Sequence, residues 1–447
     1  MRRTVITGIG IWSCIGQSVQ EVEQSLRLGK SGIGIDPERT AYGYQSPLTG
    51  IVPRPDIKAQ GLRRSQRITL SEPGEYGYMA MKEALAMAPV SDLYRCGLIV
   101  SNDSTAGALA ETEAIMAEYH DSRRLGAGMV FRTLNSSVSM SLASIFGIGG
   151  LTLSVSAACA GGGHAIGLAH SLIQSGQMDC CIVVGAQEVG LHAYTSFDAL
   201  GLFSKRTDNP AAASRPFDTE RDGLVPSGGA ACVILETAGH AAMGNRKPLA
   251  TVDGYGFSTS PDLVTPSADA IYQSMTAALS AAKSAALSPV GSGTAAAPVA
   301  APSAPATVPS GSPLGPGSVC GDGIATPSLS AIMAHATSTP DGDRAEAEAI
   351  HRFCLDNGIS HPFVISTKAL TGHECWMSGV SQIVYALIQM QGGFIAPNIN
   401  LHTLDPAAAT LRIPTAPTVT TLTTVLCNAF GFGGTNSSLV ISRAGLR

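Results

Sequence analysis

Two observations predict an α/β protein with covered sheets. Strand-like runs alternate with helix-like stretches along the 447 residues, and the alternation comes in two sets. In the first set the strands read Arg3–Gly10, Cys96–Ser101, Leu151–Ser156, Cys180–Gly185 and Ala230–Leu235, with Ala-rich helical stretches between them. In the second they read Ala250–Tyr255, Ser330–His335, Phe363–Ser366, Thr424–Cys427 and Ser438–Ile441. The pair of sets points to a duplicated architecture with halves 1–245 and 246–447, although sequence similarity between the halves is faint. The first strand needs separate justification, because two Arg precede an apolar stretch in MRRTVITGIGIWSCIG, as in a signal peptide. That stretch alternates like a strand, holds three Gly, and is followed by no convincing small-residue cleavage site, so a strand and a cytoplasmic protein are expected.

One segment belongs to neither pattern. Ser284–Gly321 carries no charged residue and is built of Pro, Ala, Gly and Ser, a composition that cannot bury enough side-chain surface to offset its ordering entropy. It is expected to be a disordered insertion at about 286–321, between a helix over Ile271–Ala286 and the strand that follows. A domain linker is the rival reading. The motifs on its two sides look like parts of one site, which favours the loop.

Composition narrows the function. Charged residues are 14% of the chain, below the roughly 25% of ordinary globular proteins, while hydrophobic residues reach 45%. So little charge is compatible with surface hidden in an oligomer. A net charge of −5 supplies no basic field for nucleic acid, and no run of about 18 apolar residues suggests a membrane span. The 10 Cys include no CxxC pair, so neither a zinc site nor a disulfide scaffold is indicated.

Four stretches carry chemistry. In LTLSVSAACAGGGHAIGLAHSLIQS an apolar strand ends, Cys159 follows, and Gly161–Gly163 lead into an amphipathic helix. A thiol there faces the positive end of the helix dipole, which lowers its pKa, and the glycines would let a substrate approach the backbone. A buried structural Cys beside a tight turn is the plainer alternative. In SAIMAHATSTPDGDRAEAEAI a strand delivers His335 to its end, Thr337 and Thr339 sit in a polar loop, and Asp343 and Glu346 open a helix. FVISTKALTGHECWMSG repeats that pattern with Lys368 and His373, and NAFGFGGTN is a Gly-rich turn bearing Phe430 and Phe432. Alone, His335 reads more readily as a satisfied structural histidine, and His373 is open between the two readings.

Taken together and in order, the Cys159 surroundings, HATSTPxGDxxE, TKxxTGH and NxFGFGGTN resemble the β-ketoacyl-ACP synthases of fatty-acid and polyketide synthesis. The resemblance also takes in the N-terminal strand and SRPFDTERDGLVPSGGAACVILE, so it spans nearly the whole chain. It is nearest to the elongating synthases, because initiating ones pair their Cys with a His and an Asn, and thiolases use a second Cys near the C-terminus. The resemblance implies a thiolase-like fold of two duplicated βαβαβαββ halves in α/β/α/β/α layers. It implies that Cys159 carries the acyl group, that His335 and His373 polarise the malonyl thioester, and that Lys368 and Glu346 form a charged network around them. It further implies an oxyanion hole from the Cys159 and Phe432 amides, a gate at Phe432 beside Phe430, and pantetheine contacts at Thr337 and Thr339. No metal or cofactor is implied.

The implied partner is acyl carrier protein, whose acidity calls for a basic patch. Arg63, Arg64 and Arg67 are the first candidates, and Arg123 and Arg124 the second. The resemblance also implies a homodimer across the N-terminal halves, with a paralogue as the alternative partner. Ala336 stands where the family usually has Gly, and ECWMSG where it usually continues with Gly and Ala after TGH. Compensated packing and a reshaped acyl surface are the two readings of that bulk. A non-catalytic chain-length-factor-like subunit would lack the nucleophile, and an acyl-CoA thiolase would lack the second His; Cys159, His335, Lys368 and His373 are all present.

Overall fold

The computed structural model describes residues 2–287 and 328–445. The N-terminal half supplies strands β1 (Thr4–Trp12), β2 (Gly97–Ser101), β3 (Thr152–Val155), β4 (Cys180–Gln187) and β5 (Gly229–Thr237). The C-terminal half supplies β6 (Ala250–Thr259), β7 (Ala331–Met333), β8 (Phe363–Ile365), β9 (Thr424–Phe430) and β10 (Thr435–Arg443). Each of the ten strands falls on a run anticipated from the sequence. The insertion expected at about 286–321 lies outside the described residues, except that Ala286 and Leu287 close the preceding helix.

The strands form one 10-stranded sheet in the order β8-β7-β9-β10-β6-β1-β5-β4-β2-β3. The order is the same read outward from the middle in either direction. In each half the outer pairs are parallel and the inner pairs antiparallel, and the halves join where Thr4–Ile6 of β1 meets Ala250–Val252 of β6. Helices complete the repeat: α1 (Glu72–Met87), α2 (Ser137–Phe146) and α3 (Gly161–Gln174) in the first half, α4 (Ala268–Leu287), α5 (Pro340–Asp356) and α6 (Ser378–Gly392) in the second. Both halves therefore run βαβαβαββ.

Three apolar clusters define the layers. One gathers α1 and α2 against the N-terminal strands, and another gathers α4 and α5 against the C-terminal strands. The third lies between them and takes residues of α3 and α6 with strands from both halves. α6 is buried on every side from Ser378 to Met390, which fits a helix apolar all round. Two of its polar side chains are tied to the main chain of neighbouring segments: Gln382 donates to the Ala334 carbonyl at 2.9 Å, and Gln389 accepts from the Ala396 amide at 2.8 Å.

The glycines at the start of α3 have a different purpose from the one expected. A Cβ on Gly162 or Gly163 would meet the Val380 amide at 2.8 Å or the Ser437 hydroxyl at 2.1 Å, so both glycines face packed protein. They let the two central helices and β10 close on one another instead of admitting substrate. No helix among the described residues is long and apolar enough to cross a membrane.

Candidate active site

The duplicated fold aims the N-termini of both central helices at one place. β3 ends at Val155, the chain turns through Ala158 at φ 45°, and Cys159 arrives just before α3. The turn is tied down by the Ala158 amide, which donates to Asp103 at 2.8 Å. In the second half β8 ends at Ile365, and His373 arrives just before α6. His373 is fixed by two backbone hydrogen bonds, its amide to the Val225 carbonyl at 2.7 Å and its carbonyl from the Ser227 amide at 2.9 Å. Its Nδ1 faces the Ser378 hydroxyl at 3.3 Å, and its Nε2 lies 3.0 Å from the Cys159 sulfur.

His335 follows β7 and meets His373 edge to face, ring centroids 5.1 Å apart, with Phe430 at 5.5 Å on its other side. Glu346, buried on α5, accepts the amides of His335 at 2.9 Å and Ala336 at 2.7 Å and the Asn428 side chain at 3.0 Å. It orients His335 through the main chain and not through the ring. Asp343, one turn earlier, accepts from the Phe217 and Ser338 amides at 2.8 and 3.1 Å and pairs with Arg221.

A cavity of about 410 Å³ opens onto this cluster. Of the residues singled out in the sequence, Cys159, His335, Thr337, Thr339, Glu346, His373, Phe430 and Phe432 line it. Thr337 and Thr339 face each other at 3.1 Å, and Phe432 stacks on Phe197 at 5.9 Å. Gly431 packs so closely against the Cys159 turn that a Cβ would sit 2.8 Å from the Cys159 amide nitrogen. Lys368 stays behind the wall, buried, its ammonium without a hydrogen-bond partner among the described residues. Arg63, Arg64 and Arg67 lie on or beside a short surface helix; Arg63 and Arg64 are exposed, and none of the three pairs with a carboxylate among the described residues. Arg123 is engaged by Asp121 at 2.8 Å.

Burial dominates the electrostatics. It lowers both histidines well below the usual imidazole range, and the nearby Lys368 charge lowers them further. Lys368 itself is brought down to about 8 by burial against the pull of Glu346 and Glu374. Burial lifts Glu374 and Asp343 to about 7 and raises Glu346. The expectation of a lowered Cys159 pKa is overturned: hydrogen bonding to the Cys375 thiol and burial push it well above the ordinary thiol range. At rest Cys159 is a protonated thiol with an imidazole nitrogen of His373 beside it.

Sequence reasoning missed the apolar wall of Tyr194, Phe197, Leu202 and Phe203, which follows no recognisable spacing. It also missed Cys375, which lines the same cavity. The available signal was ECWMSG itself. Trp376, in that departure, packs against Phe197 at 6.0 Å and so backs the cavity wall, while Met377 is buried in the central layer. Among the described residues, two clusters bring three potential metal-ligating atoms within 4.8 Å of one another: Cys159, His373 and Cys375, and Cys180, Glu236 and His240. In the second, Glu236 is already held by Arg246 at 2.5 Å.

Fold and site together define a condensing enzyme of the acyltransferase class, and comparison with known proteins gives the family. The family models for the β-ketoacyl synthase N-terminal and C-terminal domains match residues 1–241 and 321–402. The 3-oxoacyl-acyl-carrier-protein synthase 1 of Escherichia coli K12 is 34% identical, with 99% of each chain covered. A β-ketoacyl synthase of Burkholderia phymatum superposes with a TM-score of 0.83 at 25% identity, over 99% of this chain and 100% of that one. A type II polyketide ketosynthase solved with its acyl-carrier protein superposes at 0.80 with 23% identity, over 99% of each chain. This chain belongs to the β-ketoacyl synthase family.

Proposed function

We propose that the chain is a 3-oxoacyl-ACP synthase that elongates an acyl group carried on Cys159 with a malonyl unit delivered by acyl carrier protein. The observation that carries this reading is the 3.0 Å approach of His373 Nε2 to the Cys159 sulfur, with a second neutral histidine beside it in the same cavity. In the first step the thiol loses its proton to His373 as sulfur attacks the incoming thioester, and the carrier leaves as its own thiol. The Cys159 and Phe432 amides would hold the developing oxyanion. In the second step the ring proton of His373 has moved from Nδ1 to Nε2, malonyl-ACP loses CO2, and the Nε–H groups of His335 and His373 donate to the enolate oxygen. The enolate carbon attacks the Cys159 thioester, expelling Cys159 as a thiolate that takes a proton from solvent. Neutral imidazoles suit that task because each keeps one N–H to donate. Thr337 and Thr339 would bond the pantetheine arm, and Phe432 would gate the acyl end beside Phe430.

Arg63, Arg64 and Arg67 fit an acidic carrier, and their lack of carboxylate partners favours them over Arg123. A homodimer across β3 fits the sheet's open edge. The sheet ends at the half-buried β3, whereas β8, the edge at the other end, is covered by Arg412, whose carbonyl accepts the Val364 amide at 2.9 Å. A paralogue on that edge is the alternative, and a cytoplasmic location and a half-boundary near residue 245 complete the proposal.

Mass spectrometry after mixing with acyl-ACP tests the assignment. A single acyl adduct should map to Cys159 and vanish in Cys159→Ala with the fold intact. An adduct surviving in that variant would assign the carrier to another residue.

A further inference from the structure

Cys375 has no task in condensation, yet it lines the condensation cavity next to the nucleophile. The two sulfurs and a ring nitrogen of His373 lie within 4.8 Å of one another. A disulfide needs sulfurs about 2.05 Å apart, so a closure of less than about 3 Å, shared between two side chains, would join them. Cys375 is also held at φ 41°, a left-handed conformation that a residue with a Cβ adopts only when its surroundings impose it. In this turn it places the thiol on the cavity wall, with its S–H directed to the His373 carbonyl at 3.7 Å.

We propose that Cys159 and Cys375 are a redox pair: a hydroperoxide entering the cavity converts them to a reversible disulfide that shuts off condensation and shields the nucleophile from irreversible oxidation. His373, 3.0 Å from the Cys159 sulfur, takes the thiol proton as sulfur attacks a peroxide oxygen. The O–O bond breaks, an S–OH bond forms, and the proton leaves with the second oxygen as water or an alcohol. The Cys375 sulfur then attacks the Cys159 sulfur, the S–O bond breaks, and the hydroxyl departs as water with the Cys375 proton. Two thiols are oxidised by two electrons and one peroxide is reduced. A small dithiol reverses the bond by exchange. Without a resolving thiol, the sulfenic acid continues to sulfinic acid, which such reductants do not restore.

Loss of turnover rests on Cys159 as the acyl carrier, but formation of the bond does not, so the two are read separately. The reduced full-length chain is treated with hydrogen peroxide, quenched with catalase and digested without reductant. A Cys159–Cys375 linked peptide is expected, two hydrogens lighter than its parts, with condensation falling at least tenfold and returning with dithiothreitol. In Cys375→Ser, or Cys375→Ala if the serine variant folds poorly, activity lost to peroxide should not return, measured against that variant's own untreated rate. A link mapping instead to Cys96 and Cys180, two thiols that hydrogen-bond each other away from the cavity, no link at all in the wild-type chain, recovery with EDTA alone, or equal recovery in the variant would each overturn the proposal. A Cys159–Cys375 link that left condensation intact would uphold the redox pair and sink the acyl-carrier assignment.

Discussion

Replacing His335 by Ala should separate the two half-reactions, because the histidines stand differently toward the thiol. His373 Nε2 is 3.0 Å from the Cys159 sulfur, whereas His335 reaches the pair through its edge-to-face contact with the His373 ring, 5.1 Å away between centroids. On the proposed mechanism, acyl transfer needs the thiol, its proton acceptor and the oxyanion amides, all of which survive in His335→Ala. Decarboxylation needs donors at the malonyl thioester oxygen, and losing one preorganised donor costs roughly 100- to 1,000-fold, or about 2.7–4 kcal/mol. His335→Ala should therefore cut CO2 release from malonyl-ACP by roughly that factor while acylation stays within about tenfold. His373→Ala should lose the same donor and also the proton acceptor, a further loss in acylation on the order of 100-fold. Acyl-enzyme formation by mass spectrometry and release of labelled CO2 measure the steps independently. If His335→Ala decarboxylated normally yet could not be acylated, the roles would be inverted and the mechanism would have to be redrawn with His335 serving the thiol.

Further outcomes follow from the packing and the buried charges. A Cβ on Gly379 would lie 2.1 Å from the Gly163 amide nitrogen, so Gly379→Ala should destabilise the fold by about 3 kcal/mol, read as a lower urea midpoint at unchanged slope. Burial lifts Glu374 from 4.5 to about 7, so between those pH values the native carboxyl keeps a proton that the unfolded chain has released. Stability therefore falls as pH rises through that window, by about 3 kcal/mol from this group at full shift, and Glu374→Gln should flatten the slope, leaving the parts owed to other buried carboxyls such as Asp343 and Glu346. Light scattering should give about twice the 45.7 kDa chain mass, and a monomer at micromolar concentration would remove the homodimer.

What the sequence disclosed and what it hid divide along a physical line. Strands such as Cys180–Gln187 are short apolar runs whose ends are marked locally, so they were legible one by one. That Cys159 and His373 belong to one site was legible only as an ordered set of motifs, since the residues are 214 positions apart and no local pattern joins them; that His373 stands against the thiol was not legible. Gly161–Gly163 misled because a glycine needed for helix packing and one needed for substrate look alike in a sequence. The Cys159 pKa misled for a related reason: the helix dipole is a local property, whereas burial and the Cys375 neighbour exist only once the chain has folded. The wall built by Phe197 and Trp376 had no signal beyond the unusual bulk of ECWMSG.

Burial, with the charge of Lys368 added to it, keeps the two histidines of the site unprotonated. The Lys368 ammonium finds no hydrogen-bond partner among the described residues, and its attraction to Glu346 and Glu374 is opposed by burial. A protonated imidazole would offer its proton to the enolate and quench the carbon nucleophile before it attacked. A neutral one can donate a hydrogen bond to the oxygen without surrendering the proton. On the proposed mechanism the lysine acts at a distance as a positioning charge that reinforces burial in keeping His335 and His373 unprotonated, without lining the cavity. Replacing it by the neutral, similarly long Met should raise both histidine pKa values, and an acid limb in the decarboxylation rate should move upward in pH. A profile that kept its shape while the whole rate fell would assign Lys368 to packing instead.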